Sequence, residues 1–569
     1  MSHITGKSRS QLLMPSSIDE YVEKNNPVRV IDVFVDTLDL KRLGFKKAAP
    51  AHTGRPAYAP ADLLKLYIYG YMNKIRSSRR LMTECRRNME VMFLLNELKP
   101  DFRTISDFRK DNPEPIREVF REFVKVCDEF GLYRKELVAI DGTKVRAQNA
   151  GDKCYNKDIL KTKLARIDAH IEEYIGALKR NDEEGSDDDE EDGQRSSPEE
   201  TNAILKTLTE RRKKYAGYLS HLENSNDTQI LETDPEAHRM HTRNGFHCCY
   251  NIQTAVDTGS HLVCEYEVTG DNSDAGHLAA MSAAVKEALD VDTIETVADK
   301  GYDSRNDILK TIQDGVIPHV AMKYDKSERI FNLDYKAADI TDEIKNSTEP
   351  ENIRTCLSAG ILPSCFEGKN MSIEIQELSG VACFTRLDEG KVLCPMGKTL
   401  TKAKRRNDRQ TIYKNKEACR TCDNRCTAGK KEKEVSFVDG TVYVPVQMYG
   451  DKRKIENLLP ADAAIHHNSR ALYRKWVSGK VVLKVGCDEA KVHERMCTAE
   501  HPFGSIKWYG DAGYVLCRGK RKVSAEMGLS FLGYNIKRAI NLVGIEEMIK
   551  RLGERSLLFY SSWQNIFAV

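Results

Sequence analysis

The chain has 569 residues, and at ~150 residues per domain it is expected to divide into three or four domains. With 40% hydrophobic and 8% aromatic residues it can build a sizeable core, which excludes wholesale disorder. The net charge of +2 hides an asymmetry: Asn181 to Glu200 holds 11 acids and one base, so the rest of the chain carries +12, and a basic fold suits a polyanion. No stretch reaches the ~20 consecutive apolar residues of a membrane helix. The opening residues, MSHITGKSRSQLLMPSS, lack the apolar run of a secretory signal, so a cytoplasmic protein is expected. The 16 cysteines are scattered and read as reduced thiols and candidate metal ligands.

Residues 1–132 read as a helical domain. Pro60 opens an amphipathic run with Leu63, Leu64, Leu66, Tyr67 and Tyr71 on its stripe. A basic patch follows, with Arg76, Arg79, Arg80, Arg86 and Arg87, and then short helices capped by Thr104 or Ser106. This pattern suits a helix-turn-helix-type module; the alternative is a solvated basic face. Residues 133–155 hold a buried strand, Leu137–Ile140, that ends in a turn at Asp141-Gly142.

Residues 156–240 interrupt the pattern. Leu160, Leu164, Ile167, Ile171, Tyr174 and Leu178 keep coiled-coil spacing, and Ile204, Leu208, Tyr215 and Leu222 repeat it. Two antiparallel helices joined by a disordered acidic tip, residues 182–200, are expected. Residues 241–325 then read as a hairpin (246–256 and 261–268), a helix (274–289), the strand Ile294–Ala298 ending at Asp299, a helix and a last strand. The class is α/β. Residues 326–480 break the rhythm, and 481–569 return to helix, with Leu529, Leu532, Ile536, Ile540 and Val543 on one face.

Asp141 and Asp299, each at the end of a predicted strand in one sheet, stand where open α/β sheets place ligands. Such carboxylates share hard divalent cations, and a third would complete a two-metal site for displacement at phosphorus. Taken alone, an Asp at a strand end is more often a turn residue. The surrounding words narrow the reading. Asp141-Gly142-Thr143-Lys144, Asp299-Lys300-Gly301-Tyr302 and the stretch from Glu500 to Lys507 (EHPFGSIK) together resemble the DDE transposases of bacterial insertion sequences, most closely the insertion-sequence eleven-eighty-two family. GRPAY at 54–58, LKLYIYGY at 64–71, RSSRR at 76–80, Arg87-Asn88, PDFRTI at 100–105 and YNIQTAVD at 250–257 extend the resemblance collinearly from about Met14 to Gly544.

The resemblance implies a ribonuclease H-like core with Asp141, Asp299 and Glu500 as the metal-binding triad, holding two Mg²⁺ or Mn²⁺ ions. It implies an N-terminal DNA-binding domain, an inserted helical hairpin, a Cys-rich insertion between the second Asp and the Glu, and Lys507 as a DNA-phosphate contact. Seven residues are about two helical turns, which puts Lys507 on the face of Glu500, although Pro502 should kink or restart that helix. The broader group often carries Tyr and Arg ahead of the Glu; here those positions are Val492 and Met496, with Arg495 one residue away as the DNA-binding candidate. Trp508 reads equally as a base-stacking or a core residue.

Cys394, Cys419, Cys422 and Cys426 supply four thiols for a tetrahedral Zn²⁺ site in a stretch, Thr401 to Lys433, that carries 12 bases and four acids. The alternative there is reduced thiols in a basic loop. The activity expected is metal-dependent strand cleavage at terminal inverted repeats, followed by attack of the freed 3′-hydroxyl on target DNA by a homodimer, in a nucleoid-associated bacterial protein. The alternatives are a catalytically inactive DNA-binding derivative and a ribonuclease H-fold nuclease without strand transfer.

Overall fold

The computed structural model describes residues 17–49, 56–183, 198–322, 328–334, 338, 340–378 and 478–566, with 385–386, 390–394, 398–407, 410–421 and 432–438 between the last two. Two compact units emerge: Met1–Asp325 with Cys487–Val569, and Lys326–Gly486. Most of the expected acidic tip lies outside the described residues.

The first unit opens with helices: α1 (Val28–Asp36), α2 (Pro60–Met72), α3 (Ser78–Arg87), α4 (Phe102–Asp111) and α5 (Pro113–Glu129). Pro60 and Pro113 stand at the first helical positions, where no amide hydrogen is missed. The cap of α4 is Asp101, whose carboxylate accepts from Arg103 N and Thr104 N, rather than Thr104 or Ser106.

A six-stranded sheet follows, made of β1 (Leu137–Arg146), β2 (His238–Thr242), β3 (Gly245–Asp257), β4 (Val263–Thr269), β5 (Ile294–Ala298) and β6 (Val316–Val320). The order is β4-β3-β1-β5-β6, with β2 beside the first half of β3. β3 runs antiparallel to β1, whereas β5 and β6 run parallel to it. This mixed α/β arrangement fits a ribonuclease H-like core. Strand β1 is longer than expected: Asp141 pairs with Thr254 and Gly142 with Gln253, so this dipeptide continues the strand instead of ending it in a turn. The parallel side does stop there, with Ile140 paired to Ala298 as its last rung. The predicted hairpin turn forms where Asp257 accepts from the amide and hydroxyl of Ser260.

Helices α6 (Lys157–Glu183) and α7 (Pro198–Asn224) pack as a pair. Leu160 and Leu222 are fully buried at its base with Tyr155, and Tyr215 packs against them, as the seam spacing requires. α8 (Leu278–Leu289) and α9 (Arg305–Gln313) flank the parallel strands; α8 begins four residues after its expected start at Asp274. The unit closes with α10 (Glu489–Gly504), α11 (Lys520–Val543) and α12 (Ile545–Ile566).

α11 is buried all round from Val523 to Ile536, beyond the one apolar face its spacing suggests. It crosses α2 and α5, and Gly533 permits the approach: a Cβ there would stand 3.3 Å from the Met72 backbone nitrogen. Phe120 of α5, Tyr266 of β4 and Phe531 of α11 form one aromatic cluster, with Tyr266 5.0 Å from Phe120 and 5.1 Å from Phe531. The N-terminal helices therefore share a core with the sheet domain.

In the second unit, β7 (Glu328–Asp334), β8 (Met371–Leu378) and β9 (Ser478–Gly486) form a sheet in the order β8-β9-β7. Because β9 pairs with both neighbours, the unit reaches Gly486, past the expected boundary at 480. A five-stranded antiparallel meander spans 385–438. Among the described residues no helix is long and apolar enough to cross a membrane.

Candidate active site

The site forms where the parallel ladder ends. Ile140 and Ala298 are the last paired residues of β1 and β5, so the next residue of each strand, Asp141 and Asp299, stand side by side. Asp299 then caps the turn after it, its Oδ1 accepting from Gly301 N at 2.7 Å. Glu500 comes from α10, which packs on β1 and β5 through Ala499. Asp141, Glu500 and Lys507 line one cleft of about 900 Å³, together with Lys144, Arg146 and Asp274.

Asp141 has both oxygens engaged. Oδ1 accepts from Gly142 N at 2.9 Å, and Oδ2 lies 3.1 Å from Arg495 Nη1. Burial pushes its carboxyl up to about 6 against the pull of Arg495, and the charges of Asp299 and Asp274 add to the rise. Arg495 is thus an inward-facing partner of the first aspartate, mostly buried, and its Nε has no hydrogen-bond partner. It is not part of an exposed DNA-facing surface. As the side chains stand, no three acids, histidines or cysteines among the described residues converge to hold a metal ion. The donors themselves are hard oxygens that suit Mg²⁺ or Mn²⁺. Glycines also keep the ground between them clear: a Cβ on Gly301 would stand 2.8 Å from Asp299 Oδ1, and one on Gly142 would collide with Asp274 Oδ1. By their chemistry these oxygen donors suit a divalent cation, although Asp141 is paired with Arg495 and Glu500 is exposed.

Lys507 reaches the cleft by an unexpected route. Pro502 does not break α10, which runs on to Gly504, and the helix then widens into one π turn, Ser505–Tyr509. Such turns are frequent at functional sites because they shift the facing of the residues beyond them. The Pro lacks the amide that would serve the Thr498 carbonyl. Lys507 Nζ donates to Thr143 Oγ1 and, at 3.0 Å, to the Lys144 carbonyl. Burial pulls its pKa down to about 8. The next residue, Trp508, is 83% exposed at the rim, which excludes the core reading.

The basic patch divides. Arg79, Arg80, Arg86 and Arg87 lie exposed on one face of α3, with Arg79 over the Phe102 ring and Arg87 paired to Glu84. Arg76 departs from the expectation. It is 4% exposed, pairs with the fully buried Glu526 at 2.6 Å and donates to the carbonyls of Asp511 and Tyr514. A guanidinium so engaged holds the fold together and does not face DNA.

Asp274 is a site residue that sequence reasoning misses, because before a helix it reads as an ordinary cap. Cys394 follows a short strand of the meander in the second unit, and its Sγ accepts from Lys398 N at 3.3 Å. Cys419 sits on the helix Lys416–Arg420, while Cys422 and Cys426 lie outside the described residues.

Comparison with known proteins adds a family. No curated protein matches the chain. Among solved structures, one match is the cryo-EM structure of the piggyBac transposase synaptic complex with hairpin DNA, at 8% identity over 96% of this chain and 82% of that one. The TM-score is 0.28. Residues 16–111 match the transposase domain model DUF772, and residues 133–410 match the transposase DDE domain. The second match contains both strand-end aspartates, and the pairing of the two domains in one chain places this protein among the DDE transposases of insertion sequences.

Proposed function

We propose that this chain binds the terminal inverted repeats of its own element, hydrolyses DNA strands at the element ends and joins the freed 3′-hydroxyls to target DNA. The observation that carries this reading is the placement of Asp141 and Asp299 at the ends of adjacent parallel strands, with Glu500 on the wall of the cleft that Asp141 lines. These three carboxylates would hold Mg²⁺ or Mn²⁺, which supplies activation of the attacking oxygen and stabilisation of the leaving oxygen. The protein's own groups position the DNA. Lys144, Arg146, Arg243 and Lys507 line the cleft and offer positive charge to a phosphate backbone, while the acids lie among them. The Lys507 ammonium, held by Thr143 and the Lys144 carbonyl, is a fixed point charge for the phosphate next to the cut.

Arg79, Arg80, Arg86 and Arg87 form a stripe that would track DNA outside the cleft. Joining two ends in concert calls for two such sites, hence a homodimer on paired ends. The resemblance to the insertion-sequence eleven-eighty-two family fits the pairing of the two matched domains. In the second unit, Cys394, Cys419, Cys422 and Cys426 would hold a structural Zn²⁺, and the Lys398 amide on Cys394 Sγ is the kind of outer hydrogen bond that supports a thiolate ligand.

The test uses DNA ends taken from the sequence flanking the gene. Glu500→Gln should cut them slower by several orders of magnitude while binding them as tightly as wild type. Near-normal cutting by the variant would remove Glu500 from the site. Wild-type protein that cuts but never joins a pre-cleaved end would make it a nuclease instead.

A further inference from the structure

Helix α10 meets the sheet along one row of side chains. Leu137, Ala139 and Asp141 alternate onto the same face of β1, and Ala499 of α10 is buried in one cluster with the first two, with Val492 packed against it. Arg495 lies three residues after Val492 and four before Ala499, so it shares their helix face, and that packing fixes its place over the sheet. There its Nη1 stands 3.1 Å from Asp141 Oδ2, with the two side chains only 13% and 19% exposed. Glu500 is one residue past Ala499, about 100° further round the helix, and is exposed. The helix that carries the glutamate therefore turns an arginine, and not the glutamate, onto the first aspartate.

Among the described residues this is the one ion pair of either group. Gly142 N donates to the other carboxylate oxygen at 2.9 Å, so protein groups hold Asp141 on both sides. A positive charge is thus already in place on the carboxylate that a cation would need. The arginine is less well served: its Nε is buried without a hydrogen-bond partner, which costs free energy and weakens the pair against exchange. We infer that Arg495 is a resident counter-ion that keeps Asp141 out of the cation-binding set in the DNA-free protein. The pair must open before the site of the proposed function, on which this inference rests, can assemble.

The experiment is Mn²⁺ binding to the DNA-free, full-length protein, read by the electron paramagnetic resonance signal of free Mn²⁺ and by calorimetry. Apparent affinity scales with the fraction of molecules whose site is free, so Arg495→Ala should bind Mn²⁺ ~10-fold or more tightly than wild type. Arg495→Gln keeps the length and a donor but no charge; it should shift the same way and takes over as the readout if Arg495→Ala does not fold. Guanidinium chloride, well below the concentrations that unfold the protein, separates the pair from a diffuse loss of charge. The guanidinium ion can fill the space left by the side chain, so it should reverse the gain in Arg495→Ala more than sodium chloride at equal ionic strength. Wild type should show no such difference. Unchanged or weaker Mn²⁺ binding in the variants, or a gain that the two salts reverse equally, would overturn this inference and leave the proposed function standing. No Mn²⁺ binding by wild type and variants alike would overturn both.

Discussion

Lys507 gives the sharpest handle on the site because its pKa is displaced into an accessible range. The drop from 10.5 to about 8 comes first from burial and corresponds to at most ~3.5 kcal/mol at ~1.4 kcal/mol per tenfold, less what the open side of the cleft screens. Between about pH 8 and 10.5 the unfolded chain keeps a proton that the folded protein has released, so the stability of wild type should rise across that window. Lys507→Met has no such group. Its stability relative to wild type should be greatest near pH 7 and should shrink as pH climbs through 8 to 10.5, which thermal melts across that range would record.

Activity should move the other way. A neutral amine cannot grip phosphate as a point charge, so kcat/KM for end cleavage should fall above about pH 8 in wild type. In kcat the limb should lie higher, because a bound phosphate restores the ammonium. Lys507→Arg stays charged and should lose the alkaline limb, although its geometry lowers the plateau. A wild-type kcat/KM profile that is flat to pH 9.5, or an identical limb in Lys507→Arg, would refute the reasoning.

Two further outcomes are expected. Glu526→Ala strands the buried guanidinium of Arg76 and removes the acceptor for Leu516 N and Cys517 N, so urea unfolding should register a loss of ~3–5 kcal/mol; pairing it with Arg76→Met should recover part of that loss. Elemental analysis of freshly purified protein should find about one Zn²⁺ per chain, and replacing Cys419 and Cys422 by Ser should abolish it.

The aspartate pair and the glutamate are legible in the sequence because each sits in a short word tied to a strand or helix end. The neighbours those residues meet are not. Arg495 reads as one more basic residue near the glutamate, yet its helix turns it onto Asp141. Asp274 is indistinguishable from a helix cap until β3 brings Asn251 and Gln253 beside it. Strand β1 reads short because Asp-Gly is good turn chemistry, whereas the antiparallel partner supplies Gln253 and Thr254 to continue the ladder. The strand His238–Thr242 carries too many polar residues to stand out, and only pairing with β3 makes it one. The facing of Lys507 depends on a π turn that no periodicity signals.

Arg76 also changes what the N-terminal helices can do. Read from the sequence, the basic run from 76 to 87 suits a helix-turn-helix-type DNA-binding module. In the structure its first arginine is drawn into the core by Glu526 of α11 and holds the carbonyls of Asp511 and Tyr514. That loop continues through Gly513 and Tyr514 into the cleft wall, and Glu526 ties it again at Leu516 and Cys517. Helix α3, with its stripe of exposed arginines, starts two residues after Arg76. The stripe and the cleft are therefore linked by one buried ion pair, a few covalent bonds and a helix crossing packed at glycine distance. On the proposed function, DNA lying on α3 is presented to Asp141 and Asp299 in a fixed register, which a tethered module could not do. Such a linkage limits cutting to a set distance from the bound sequence, as removal of an element at its exact ends requires.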